Sequence, residues 1–234
     1  MSEPLAVIVA APGTNRDRDV AEALERAGAR TERHSMQALR QSSARIRDAQ
    51  ILVLAGGFSH ADSLGAGTVW ANDVQAYLAD ELTAFVADGK LVLGICNGFQ
   101  TLVRAGVLPG SLAHNASGSF TCRWVELEPT PNDCAWTAGI TEPVACPVAH
   151  GEGRYVADEE TSATSAALTY GSATNPNGSM HDVAGVTDAT GRVLGLMPHP
   201  ENHIEARQHP RHHRGGRGGS GLVIFEAGVR HVRS

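Results

Sequence analysis

Three short stretches of this chain are apolar almost without interruption: Leu5–Ala10, Ile51–Ala55 and Leu91–Cys96. Runs this short and this uniform read as buried strands, because a half-exposed strand alternates and a helix needs more length. Between them, apolar residues recur at helical spacing. Asp17–Ala27 places Val20, Ala23, Leu24 and Ala27 on one face, opens with Asp17 and Asp19 and is stopped by Gly28, the acidic residues suiting the positive start of a helix. Val69–Ala87 repeats Val74, Tyr77, Leu78, Leu82 and Phe85, and Phe99–Ala105 follows the third strand. Fully apolar strands alternating with amphipathic helices predict an α/β fold with an open, mostly parallel sheet covered by helices on both faces.

The pattern changes from about Ser119 to Val183, where runs shorten and Thr, Pro and Gly increase. This predicts a smaller antiparallel excursion, or a loop-rich insertion, on the same domain. Val183–Thr187 and Arg192–Leu196 read as paired strands around Asp188–Gly191, and Leu222–Val229 as a closing helix. Between them, Asn202–Ser220 is rich in His, Arg and Gly. No repeat or linker interrupts the chain, so residues 1–234 are expected to form one domain.

Length and composition narrow the class. A chain of 234 residues can bury a core without disulfides or a structural metal. The formal charge of -6 gives no global case for binding nucleic acid. No apolar run approaches the roughly 18 residues that would span a membrane, and the start of the chain lacks a basic leader. Cys96, Cys122, Cys134 and Cys146 are too widely spaced for a disulfide scaffold or a zinc site. The expectation is a reduced, cytoplasmic enzyme with no metal of its own.

The strongest chemical signal is Gly94-Ile95-Cys96-Asn97-Gly98, where a buried strand meets a helix. It has the form of a nucleophile elbow with cysteine in the place of serine. Glycines on both sides relieve clashes in a strained turn. The turn projects the sulfur at the carboxyl edge of the sheet, where open α/β folds bind ligands. The following helix N-terminus favours thiolate, and the Asn97 amide is free to meet a developing oxyanion. A nucleophile needs a base and the base an orienter. Pro198-His199-Pro200-Glu201, just after an apolar run, supplies both, with flanking prolines expected to hold His199 extended. Gly56-Gly57-Phe58-Ser59 follows another central strand; it reads as a plain turn, or as the source of a second oxyanion amide.

Together these segments resemble the class I, triad-type glutamine amidotransferases, whose domain is flavodoxin-like. Leu108-Pro109-Gly110, His150-Gly151-Glu152-Gly153-Arg154 and Pro176-Asn177-Gly178-Ser179 complete an order similar to that of the glutaminase subunits of phosphoribosylformylglycinamidine synthase. The resemblance runs from the first strand to the last helix. It implies hydrolysis of glutamine to glutamate and ammonia, with ammonia passed to an ATP-dependent synthetase in de novo purine synthesis. It also implies a large synthetase subunit and a small third subunit as partners, and ATP and magnesium used by the partner rather than by this chain. Carried over by residue, Cys96 is the nucleophile, His199 the base and Glu201 its orienter. Gly57 and Asn97 would supply the oxyanion amides, Gln100 would contact the substrate, and Phe120 and Asn115 would line its pocket. After Gly-Gly-Phe-Ser, the run His60-Ala61-Asp62-Ser63-Leu64-Gly65 keeps the family's Asp62 and Leu64 but not its aromatic and arginine.

Other residue types compete for attention. His150 and Glu152 read as a loop near the pocket or the ammonia exit rather than as triad members. His209, His212 and His213 could hold a metal but sit in a loop full of Arg and Gly, which reads as solvated; Arg207, Arg211, Arg214 and Arg217 there could face an acidic partner. The Pro12–Asn15 turn lacks the lysine followed by serine or threonine of a phosphate loop, so no nucleotide is expected. Two further readings stand beside the amidotransferase: a standalone cysteine hydrolase with a similar elbow, and a non-catalytic subunit on the same fold. The second should lack a triad member, and none is lacking.

Overall fold

The computed structural model describes residues 3–171, 174–215 and 220–234. The strands in chain order are β1 (Leu5–Ala10), β2 (Arg30–Ser35), β3 (Ile51–Leu54), β4 (Leu91–Ile95), β5 (Ser111–His114), β6 (Thr121–Pro129), β7 (Val144–His150), β8 (Glu152–Val156), β9 (Ala166–Tyr170), β10 (Val183–Thr187) and β11 (Val193–Leu196). The helices are α1 (Asp17–Arg26), α2 (Met36–Gln41), α3 (Thr68–Tyr77), α4 (Ala79–Ala87), α5 (Asn97–Arg104), α6 (Glu159–Ser165) and α7 (Leu222–His231).

Among the described residues, nine strands form one sheet in the order β2-β1-β3-β4-β11-β10-β9-β6-β7, and β5 pairs with β8 in a small separate sheet. The first five strands are parallel. The rest continue antiparallel, so the expected excursion extends the same sheet. Residues of β3, β4 and β11 are all buried, which is what their uninterrupted apolar sequences require. Each such Val, Leu or Ile contributes about 1.5–3 kcal/mol by leaving water.

The chain leaves β1 toward β2 through α1 and later leaves β3 toward β4 through α3 and α4. Because parallel crossovers are right-handed, opposite directions along the sheet put these helices on opposite faces. The contacts agree: α1 packs with α7, while α3 packs with α2, α4 and α5. The direction reverses between β1 and β3, and the loops leaving them meet there, Thr14 bridging to Gly57. Such a reversal opens a crevice at the carboxyl ends of the strands.

One local expectation needs correction, and one strand had not been anticipated. Val69–Ala87 is not one helix: Leu78, at φ -127°, separates α3 from α4. Val74, Leu78, Leu82 and Phe85 stay buried across the break, so the apolar spacing is continuous although the backbone is not. Tyr77 is half exposed instead, with the Arg40 guanidinium 5.4 Å from its ring centre. Strand β2 (Arg30-Thr31-Glu32-Arg33-His34-Ser35) has no apolar signature and is a strand because β1 offers it a full ladder. Its charges suit an edge strand, where they discourage pairing with other chains. Among the described residues, no helix is long and apolar enough to cross a membrane.

Candidate active site

The turn from β4 into α5 is tight because two glycines let the helix press onto the sheet. A β-carbon on Gly98 would lie 1.9 Å from the Leu54 carbonyl oxygen, and one on Gly94 would lie 2.6 Å from Leu102 Cδ1. Cys96, between them, adopts φ 50° and ψ -104°, a conformation a side-chain-bearing residue holds only at a cost of about 1–3 kcal/mol. Its sulfur is nearly buried and lies 3.8 Å from the carbonyl oxygen of Ala149 on β7.

His199 and Glu201 arrive from the end of β11. The His199 amide donates to the Pro147 carbonyl at 2.8 Å, which ties this loop to β7. His199 is not extended as its prolines suggested: at φ -108° and ψ 84° it leads into a short turn, Pro200–Asn202. That turn brings Glu201 round to the ring, with Nδ1 and Oε1 2.7 Å apart. Glu201 is wholly buried and its Oε2 has no hydrogen-bond partner among the described residues, so its charge is directed at the imidazole. With Nδ1 given to Glu201, Nε2 is left for the sulfur. Burial pulls the His199 pKa down, but the charge of Glu201, that of Cys96 and hydrogen bonds to both outweigh it and hold the ring up at about 10. A protonated imidazole at neutral pH, beside a cysteine and backed by a buried carboxylate, can stabilise a thiolate and give a proton to a leaving group.

Two backbone amides face the same edge. Asn97 is the first residue of α5, so its N–H has no carbonyl to reach within the helix. The β-bridge between Thr14 and Gly57 runs through their neighbours, with Asn15 N–H on the Gly56 oxygen and Phe58 N–H on the Gly13 oxygen. The Gly57 amide is thereby left out of the ladder.

A cavity of about 160 Å³ opens over the sulfur, lined by Cys96, Gly57, Phe58, Asp62, Gln100, Phe120 and residues 149–152 among others. Phe58 and Phe120, both half exposed, sit 6.4 Å apart at its mouth. Gln100 forms part of the wall, its Oε1 accepting from Asn97 Nδ2 at 2.9 Å and its Nε2 donating to the Glu152 carbonyl. A larger, mainly apolar groove of about 450 Å³, lined by Val74, Leu82, Val86, Val107 and Val193 among others, shares no residue with this cavity.

Asn115 does not line the cavity, contrary to the sequence reading. It is buried behind the wall, where Nδ2 donates to the Ser119 and His150 carbonyls and Oδ1 accepts from the Gly153 amide. Oδ1 also faces His150 Nδ1 at 3.0 Å. Since an amide oxygen only accepts, His150 carries its proton on Nδ1. Its Nε2 is a bare acceptor, buried and without a partner among the described residues. Burial, helped by the positive charge of His199, lowers the His150 pKa to about 4. The site therefore holds two histidines of opposite character, one kept protonated and one kept neutral.

His209 packs edge-on against Trp124, Arg207 pairs with Glu205, and Arg217 lies outside the described residues.

A family model described as the CobB/CobQ-like glutamine amidotransferase domain matches residues 3–232. The chain is 39% identical to phosphoribosylformylglycinamidine synthase subunit PurQ of Treponema denticola, covering 98% of this chain and 99% of that one. It is 41% identical to the subunit of the same name from Rhizobium etli, covering 93% and 95%. Among solved structures it is similar to a chain of PurLQS from Thermotoga maritima, with a TM-score of 0.82, 35% identity, and 98% and 99% of the two chains covered.

Proposed function

The chain belongs to the CobB/CobQ-like glutamine amidotransferase family, and from that premise we propose that it is the glutaminase subunit of phosphoribosylformylglycinamidine synthase, releasing ammonia at Cys96 for a separate synthetase subunit. The observation that carries this reading is the convergence of Cys96, His199 and the buried Glu201 at one sheet edge, in a chain that matches PurQ proteins along nearly its whole length. The partners are a large synthetase subunit and a small third subunit, as the PurLQS likeness supports. ATP and magnesium serve the synthetase; hydrolysis of the amide needs only side chains and backbone amides of this chain. The cytoplasm is where such an enzyme would work.

The chemistry has two halves. The Cys96 sulfur attacks the carboxamide carbon of glutamine, and the Gly57 and Asn97 amides hold the resulting oxyanion. His199 protonates the nitrogen, the C–N bond breaks, and ammonia leaves a thioester on Cys96. Water then gives a proton to His199 and attacks the thioester carbon. The C–S bond breaks, releasing glutamate and restoring the sulfur and the imidazolium. Each oxyanion donor is worth roughly 10²–10³ in turnover.

The test is ammonia release from glutamine by the chain alone, and by the chain with its synthetase subunits, formylglycinamide ribonucleotide and ATP. Release that rises with the partners and disappears in Cys96→Ala is expected. An assembled mixture that releases no ammonia would overturn the proposal and favour the non-catalytic reading.

A further inference from the structure

One carboxylate in the cavity wall has no counter-charge. Glu152 is compensated: its Oε2 takes Arg104 at 3.0 Å, and both its oxygens face the Ala66 amide. Asp62 is not. Among the described residues its carboxylate takes one hydrogen bond, a long one of 3.4 Å from Asn97 Nδ2, and no cation pairs with it. That Asn97 amide also donates to Gln100, so Asp62, Asn97 and Gln100 form one connected wall beginning at the residue after the nucleophile. The Asp62 backbone is held at φ 53° within a run where His60, Ala61 and Leu64 also have positive φ. The His60 amide anchors this run to the Pro12 carbonyl at 2.6 Å. Burial, with the nearby Glu152 carboxylate adding to it, pushes the Asp62 carboxyl up, so a bound cation would be welcome there.

The substrate carries such a cation. Glutamine placed with its carboxamide at the Cys96 sulfur must put its α-ammonium group elsewhere along the same cavity, whose wall includes Asp62. Resting on the glutaminase reading, we propose that Asp62 receives the α-ammonium group of glutamine and makes this site select α-amino acid amides over amides that lack the amine. Asn97 would fix the carboxylate from the side, leaving the second oxygen for the ammonium.

The test compares glutamine with glutaramate, which has the same carboxamide and carboxylate but no amine, in the complex assembled with the synthetase subunits. Asp62→Asn suits it, because asparagine tolerates positive φ and its oxygen can still accept from Asn97. The wild type should prefer glutamine strongly. In Asp62→Asn, kcat/KM for glutamine should fall about 10–100-fold, mainly through KM, as expected for losing a charged hydrogen bond. For glutaramate it should stay within about twofold. Equal losses on both amides would make Asp62 a structural residue of its loop, and an undiminished preference would put the amine elsewhere; either result overturns the proposal. A wild-type complex that hydrolyses neither amide would instead overturn the glutaminase reading on which it rests.

Discussion

The His199 ring lies against the bare Cα of Gly56: a β-carbon there would stand 2.9 Å from Cε1 and 3.4 Å from Nδ1. Gly56 therefore acts as a seat for the imidazole, one strand over from the elbow. The sequence marked Gly56-Gly57 only as a turn or an oxyanion loop, because nothing in the residues after β3 reveals what β11 delivers opposite them.

Gly56→Ala tests that seat. Gly56 is not at positive φ, so alanine introduces no backbone strain and acts chiefly on the ring. The variant should fold, with glutaminase turnover down by about 10² or more, the scale expected for a displacement near 1 Å in a catalytic group. Kinetics and a thermal melt together check this. Unchanged turnover would mean that the ring has room to move.

Glu201→Gln should act on the alkaline side of the pH profile. His199 holds its proton to about 10 because Glu201 and Cys96 outweigh burial. Protonation of the leaving nitrogen by the wild type is then lost only as pH rises through that value. With the carboxylate replaced, burial is less opposed and the limb moves toward neutral pH. Turnover at pH 7 should fall by 10²–10⁴. An alkaline limb that stays in place would mean that Glu201 does not set the charge of His199.

His150 should make the fold sensitive to acid. Its folded-state value of about 4 lies below the ordinary 6.5, so between these values the unfolded chain binds the extra proton. Stability is therefore full above about 6.5 and falls as pH drops toward 4, by on the order of 3 kcal/mol. His150→Asn keeps a donor for Asn115 and removes the titration. Denaturant unfolding at pH 7 and pH 4.5 should show a smaller acid loss in the variant, and an equal loss would refute the assignment.

Gly98→Ala should damage the fold rather than the chemistry alone. Its β-carbon would fall 1.9 Å from the Leu54 oxygen, in the backbone of β3. Helix α5 would have to lift off the sheet, at a cost of about 3 kcal/mol or more. Gly106→Ala is the control: it meets nothing within 4 Å but sits at φ +76°, so it should cost only about 1–2 kcal/mol. Equal melting temperatures for the two variants would contradict this.

What the sequence determined by itself was the local chemistry and the local periodicity. Short, uniformly apolar runs between helical stretches read as buried strands, so β1, β3 and β4 and their parallel arrangement were legible. The glycines around Cys96 announced a strained turn, and histidine with glutamate two positions on announced an oriented base. These signals survive in one dimension because each is carried by residues adjacent in the chain. Tertiary structure decided whatever depended on a partner far along it. The charged strand β2 exists because β1 pairs with it, and Leu78 breaks a helix whose apolar spacing continues unbroken. Asn115, read from its segment as pocket lining, is turned inward to hold His150, while Phe120 does reach the mouth. The protonated state of His199, the neutral state of His150 and the uncompensated charge of Asp62 follow from burial and from which charges share a cavity. Those are properties of distances in space, and spacing along the chain does not encode them.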